Sequence, residues 1–235
     1  MNGQGILYLV ATPIGNLKDI TLRALEILKS ADWIACEDTR TTKKLLSHYE
    51  VHARVTSFHD HSGEGKMDFV MRELSEGRKV AYVTDGGTPA VSDPGFTLVR
   101  KAVEQGIRVE AVPGPTALVS ALVGSGIPCE KFTFEGFLPY KEGAMRNALE
   151  RLKVEKRTMV FYESPYRILK TLRAMAEIFG ERKSCVAREL TKQFEEYVRG
   201  RLPEVLEEIS KRKKLGEIVI VVEGVREEEK RDEKI

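Results

Sequence analysis

Five polar or Gly/Pro-rich stretches each follow a short apolar run: TPIGN at 12–16, EDTR at 37–40, HDHSGEG at 59–65, TDGGTP at 84–89 and PGPT at 113–116. In an open α/β sheet such stretches lie beyond the carboxyl ends of the strands, where ligands bind. They bring carboxylates (Glu37, Asp38, Asp60, Asp85), imidazoles (His59, His61), a guanidinium (Arg40) and bare backbone at Gly86 and Gly87 to one edge. Loops of this kind are also common as mere connectors, so the chemistry of each has to be weighed.

The 84–89 loop is the most informative. A phosphate loop would carry G-x-x-x-x-G-K-[ST] or G-x-G-x-x-G after a strand, and neither pattern follows any strand-like run here. Asp85 would repel a phosphate where a helix N-terminus would otherwise attract one. A carboxylate at that point suits a cation or a pair of hydroxyls, and the glycines let a ligand approach the backbone closely. The fitting ligand is therefore phosphate-free. S-adenosylmethionine, with its ammonium, sulfonium and ribose diol, is one such molecule.

The other motifs leave alternatives open. His59-Asp60-His61 offers metal-ligand types, but neighbours at i and i+2 without a third distant ligand make a poor cage, so no metal is expected and hydrogen bonding or substrate binding remains. In EDTR, Asp38 reads as a helix N-cap paired with Arg40, or as part of a catalytic group. FYESPYR (161–167) reads as a strand-to-helix turn with Ser164 as N-cap and Pro165 at the first helical position. ARELTK (187–192) ends a strand with Arg188, Glu189 and Lys192, as a salt-bridged rim or as substrate contacts. Basic residues gather in KVEKR, ERK, RGR and SKRKK, where they are solvated charge or contacts to a phosphate backbone.

The elements that would position these residues alternate in the first half. Strand-like runs at 6–11, 33–36, 54–58, 80–83 and 109–112 are separated by helix-like segments at 22–28, 41–48, 66–76 and 96–104, the first capped by Asp19 or Thr21. That rhythm predicts an α/β fold with a mostly parallel five-stranded sheet covered by helices on both faces. Pro113-Gly114-Pro115 is a stiff connector, so one domain is expected over 1–112 and a second over 113–225, with a charged tail at 226–235. The second half places helices at 116–123, 144–152, 166–179 and 203–212 among strands at 131–134, 158–162, 184–188, 195–199 and 217–222. Strands in that closer succession predict a mixed sheet.

Length and composition agree with a globular protein. The 235 residues, 42% hydrophobic and 31% charged, fall outside the disordered and membrane classes. No apolar run approaches the roughly 20 residues of a membrane span, and the opening MNGQGILYLVATPIGN reads as a first strand with no signal peptide. Cys36, Cys129 and Cys185 are odd in number and widely spaced, as in a reduced, cytoplasmic protein. The net charge of +2 neither demands nor excludes a nucleic-acid partner.

Taken in order, LYLVATPIGNLKDITLRALEIL, EDTR, HDH, TDGGTPAVSDPG, VPGPTALVSAL, FEGFLP, FYESPYR and ARELTK resemble the bacterial 16S rRNA cytidine 2′-O-ribose methyltransferases of the small-subunit methyltransferase I family, in the tetrapyrrole-methylase superfamily. The resemblance covers nearly the whole chain except the tail. Family members commonly carry Ala at Gly86 and Leu at Val112, both small apolar changes. TPIGN stands where tetrapyrrole-methylating relatives carry a Gly-rich turn, which favours the RNA branch.

The resemblance implies two α/β domains with S-adenosylmethionine as cofactor, contacted by Pro13, Asp85, Gly87, Thr88, Pro89, Ala90, Pro115, Thr116, Ala117 and Tyr162. It implies methylation of a cytidine ribose near the decoding centre of the small ribosomal subunit, by a cytoplasmic homodimer with no membrane partner. His61, Arg167, Arg188 and Lys192 are the expected substrate contacts. Glu37, Asp38, Arg40 and His59, whose loops share one sheet edge, are the expected catalytic groups for a weakly acidic ribose hydroxyl. A tetrapyrrole C-methyltransferase and a non-catalytic RNA-binding module are the alternatives.

Overall fold

The computed structural model describes residues 5–58, 64–212 and 216–225, so the HDH motif and the 226–235 tail lie outside the described residues. The chain forms two compact units, one ending at Thr116 and the other beginning at Ala117.

The first unit alternates strand and helix throughout. Its strands are β1 (Ile6–Val10), β2 (Trp33–Cys36), β3 (Arg54–Ser57), β4 (Lys79–Val83) and β5 (Arg108–Val112). Between them lie α1 (Leu22–Ser30), α2 (Thr39–His48), α3 (Glu64–Ser75) and α4 (Gly95–Glu104). The strands pair in the order β3-β2-β4-β1-β5, every pair parallel. Side chains alternate between faces along a strand, and the core divides accordingly. Leu7, Val80 and Tyr82 pack with Val70, Leu74 and Leu98 of α3 and α4, while Tyr8, Val10, Ala81 and Val83 pack with Ala24, Leu28 and Leu46 of α1 and α2. Helices cover both faces, as the rhythm of the sequence predicts.

Of the two expected caps for α1, Thr21 is the one used: its hydroxyl accepts from the Ala24 amide at 3.1 Å. Cys36 pairs with Val83 and Val10 with Val112, so Glu37, Thr84 and Pro113 emerge at a common edge.

The second unit holds α5 (Ala117–Gly124), β6 (Phe132–Phe137), α6 (Glu142–Leu152), β7 (Thr158–Glu163), α7 (Ile168–Phe179), β8 (Lys183–Arg188), β9 (Glu196–Arg201), α8 (Leu202–Ser210) and β10 (Ile218–Val222). The order is β6-β7-β10-β8-β9, with β6 and β7 parallel and the remaining pairs antiparallel, which is the expected mixed sheet. All five residues of β10, IVIVV, are buried at the sheet centre. Its inner core joins Met145 and Leu149 of α6, Leu172 and Met175 of α7, and Val205 of α8 to Phe161, Val186 and Ile220.

One local reading is corrected. Ser164 does not cap α7; its hydroxyl accepts from the Tyr166 amide, forming a turn, and α7 begins at Ile168. The buried Glu163 carboxylate draws the chain into that turn by accepting the Ser164 amide at 2.7 Å.

Candidate active site

The carboxyl edge of the parallel sheet is built by mutual backbone pairing of its loops. Thr12 and Gly87 exchange two hydrogen bonds, Thr12 N to Gly87 O at 3.0 Å and Gly87 N to Thr12 O at 2.9 Å. The Thr12 hydroxyl donates to Thr84 O, and the Thr88 hydroxyl to Pro115 O at 3.1 Å. Gly87 needs its glycine, since its φ is +93°. The three loops that carry Pro13, Gly87–Thr88 and Pro115 are thereby joined into one rigid rim.

Asp93, which the sequence reading passed over, organises the rest of the 84–95 loop. Its carboxylate accepts from the amides of Ala90, Val91 and Gly95 at 2.9, 3.1 and 2.8 Å. Those bonds hold Ala90 and Ser92 at φ +67° and +65°, a left-handed conformation that costs non-glycine residues energy and concentrates at functional sites. A Cβ on Gly95 would stand 2.5 Å from the Tyr82 ring, so that position admits only glycine without rearrangement. The signal was present as S-D-P-G, an Asp before two turn residues.

Three carboxylates converge beside this loop. Asp85 Oδ1 accepts the Asp38 amide at 3.2 Å, and the Asp85 amide points to Glu37 Oε2 at 3.4 Å. Glu37 binds protons more tightly than an ordinary glutamate, because burial and then the charges of Asp85 and Asp93 outweigh its hydrogen bonds. Partial desolvation of its carboxyl, with the Asp38 charge behind it, does the same to Asp85, which otherwise faces solvent. Asp38 moves the other way. It caps α2 by accepting the Arg40 amide at 2.7 Å, and the Arg40 guanidinium holds its carboxyl below the usual range. Of its two readings, the cap with an ion pair describes its contacts. Asp85 itself is exposed, as is Gly86 beside it, while Gly87 is buried with its backbone groups on Thr12. A net-anionic rim with approachable backbone fits a cationic or diol ligand and disfavours a phosphate.

The sequence-derived residues of this unit, Pro13, Glu37, Asp38, Asp85, Gly87, Thr88, Pro89, Ala90, Pro115 and Thr116, belong to these loops, and Arg40 to the first turn of α2. His59 and His61 lie outside the described residues. Among the described residues no cluster of His, Cys, Asp or Glu suits a metal, and no helix is long and apolar enough to cross a membrane.

In the second unit, Ala117 opens α5, and Tyr162 sits on β7 with its ring edge-on to Phe134 at 4.9 Å. Arg167 donates to Leu138 O and Pro139 O at 3.0 and 3.1 Å, approaches Glu163 at 3.6 Å and lies over the Tyr140 ring. Arg188 pairs with Glu196 at 3.2 Å, and Lys192 with Glu189 at 2.8 Å and Glu217 at 3.1 Å, which is the salt-bridged rim. Glu189 and Thr191 of this turn are left-handed, at φ +52° and +65°.

Comparison with known proteins follows the same lines. The family model for tetrapyrrole (corrin/porphyrin) methylases matches residues 6–206. The ribosomal RNA small subunit methyltransferase I of Halalkalibacterium halodurans is 48% identical over 94% of this chain and 76% of its own. The protein of that name from Thermotoga maritima is 47% identical over 94% of this chain and 99% of its own. A solved cobalt precorrin-4 methyltransferase superposes with a TM-score of 0.67 over 93% of this chain and 94% of its own, at 18% identity, a likeness of fold alone. The chain belongs to the tetrapyrrole methylases and, within them, to the ribosomal RNA small subunit methyltransferase I family.

Proposed function

We propose that this protein transfers a methyl group from S-adenosylmethionine to the ribose 2′-hydroxyl of a cytidine in 16S rRNA, near the decoding centre of the small ribosomal subunit. The observation that carries the substrate class is the near-half identity, across almost the whole chain, to proteins named as small-subunit ribosomal RNA methyltransferases. The resemblance in its motifs supplies the ribose, the cytidine, the cytoplasmic setting and the homodimer. The donor set supports the cofactor. An exposed carboxylate on a glycine-flanked loop suits an ammonium, a sulfonium or a ribose diol and repels a phosphate.

Bound S-adenosylmethionine supplies a methyl group already activated by its sulfonium. Asp85 is the proposed anion for the cofactor, and Pro13, Gly87, Thr88, Pro89, Ala90, Pro115 and Thr116 its surrounding wall. The Thr12–Gly87 pairing and the Asp93 bonds hold that wall before the ligand arrives. Preorganised alignment of a nucleophile with an electrophile is worth about 7–11 kcal/mol. The ribose hydroxyl then has to lose its proton. Glu37 suits that role, since its proton affinity is raised and it adjoins Asp85. Asp38 and Arg40 satisfy one another, leaving the largely exposed guanidinium beside the site as a cation for a developing alkoxide. In the second unit Arg188 and Lys192 are the proposed RNA contacts.

The test is methyl transfer from labelled S-adenosylmethionine to purified small subunits, naked 16S rRNA and a precorrin-type tetrapyrrole in parallel. Label in RNA is expected. Label in the tetrapyrrole alone would return the protein to the small-molecule branch of the family, and no label anywhere would leave a binding module.

A further inference from the structure

On the side of α2 away from its cap, the first unit contains an open depression of about 610 Å³. Its lining includes Leu46, Val51 and Val55 as the apolar part, with Lys43, His52 and Arg54 as the basic part. Lys43, His52 and Arg54 are exposed, and none forms an ion pair with a described residue. Elsewhere in the unit Arg78, Arg100, Lys101 and Arg108 are matched to Glu73, Glu104, Asp68 and Glu110. From Thr39 to Tyr49 the chain carries Arg40, Lys43, Lys44 and His48 and no carboxylate. Glu50 is the single acid among its described lining residues.

Two features suggest a built surface over a chance cluster. Arg54 pairs in register with Trp33 of β2, and its guanidinium lies 5.6 Å above the Trp33 ring, whose indole N–H is fixed by Glu73 of α3 at 2.7 Å, so this cation is held at the sheet edge on the α3 face while Lys43 stands on the α2 face. The helix supplying Lys43 is fastened at its other end to the candidate active site, through the Asp38 amide on Asp85. Lys43 is five residues beyond Asp38, about 7.5 Å of helical rise.

We propose that this depression docks the phosphate backbone of the substrate RNA, a few nucleotides from the ribose presented at the Glu37–Asp85 edge. The inference rests on the RNA reading given above and adds to it a place on the molecule. A strand whose ribose reaches that edge can run along α2, with its phosphates on Lys43 and His52, and turn over the β3 edge onto Arg54. Such contacts set register and carry no sequence information.

The test compares wild type with the variant Lys43→Gln/His52→Gln/Arg54→Gln, and with Lys43→Gln/His52→Gln, which leaves the Arg54–Trp33 contact intact. Binding to small subunits and to an RNA oligonucleotide is measured between about 50 and 200 mM salt. For the triple variant we expect about tenfold weaker RNA binding and a salt slope shallower by about 1.4, as for the loss of two full charges, Lys43 and Arg54, from single-strand phosphates. The double variant should show about half that change in slope. KM for RNA should rise with kcat and cofactor affinity unchanged. A neutral methylphosphonate at the docked position should weaken wild type and leave the triple variant unaffected, an effect that a purely structural role would not produce. If wild type methylates RNA and both variants keep its affinity and slope, the docking surface is wrong and the function stands. If wild type neither binds nor methylates RNA, both fall.

Discussion

The Asp38 backbone amide donates to the Asp85 carboxylate at 3.2 Å, joining the cap of α2 to the glycine loop after β4. Two strand ends that are neighbours in the sheet are thereby locked together at the proposed site. The bond spends the amide of one acid on the carboxylate of another, so the cluster keeps its negative charge while remaining ordered.

Asp85→Asn keeps the shape of that contact and removes the charge. Cofactor affinity should fall about 10- to 100-fold, the range for a hydrogen bond to a charged partner. Isothermal titration with S-adenosylmethionine checks it, and an unchanged Kd would remove Asp85 from the site.

The pH dependence has a definite sign. Burial, then the Asp38 charge, raise the Asp85 carboxyl above the ordinary value of 3.8, so falling pH protonates it early. Cofactor affinity should weaken on acidification at a pH above that ordinary value, and Asp85→Asn should abolish the dependence. Stability of the ligand-free protein runs the other way. A carboxyl whose folded value is raised contributes stability that is present in acid and lost as pH rises through that value. Melting temperatures of wild type and Asp85→Asn should therefore differ more at neutral pH than in acid, the variant being the more stable at neutral pH.

Asp93→Ala leaves three loop amides without their acceptor. We expect a loss of about 1–3 kcal/mol in denaturant unfolding, together with weaker cofactor binding. A loss of stability with cofactor affinity intact would separate the loop from the ligand.

Arg167→Lys is not a conservative change. The guanidinium serves two carbonyls, Leu138 O and Pro139 O, and faces the buried Glu163, whereas an ammonium offers no planar fork. Arg167→Ala leaves Glu163 without its counter-ion and should cost about 3–5 kcal/mol. Thermal unfolding of the two variants tests this; wild-type stability in Arg167→Ala would show that these contacts add nothing to the fold.

Much of the fold was legible because its signals are local. Alternating apolar runs and helical spacing defined the five parallel strands, and the IVIVV run read as a strand, which the structure buries at the centre of the second sheet. The edge loops were legible as neighbours because the topology gathers strand ends. What stayed hidden depends on tertiary contacts. Asp93 acts on residues two and three positions back along a loop that only the fold closes, and the start of α7 is set by a buried carboxylate. The basic stretches singled out in the sequence are largely engaged, as with Arg157 on Glu155 and Arg199 on Gly124 and Ser125. Lys43 on α2 and Arg54 on β3, which pair with no described acid, stand where no run of charge announced them.

The most direct measurement is the identity of the product. Small subunits are incubated with the protein and S-adenosylmethionine, the 16S rRNA is digested to nucleosides, and the methylated species is resolved by mass spectrometry. The account predicts 2′-O-methylcytidine, formed by wild type and lost with Glu37→Gln while cofactor binding persists. A methyl group on a base, or 2′-O-methylcytidine at the wild-type rate from Glu37→Gln, would contradict it.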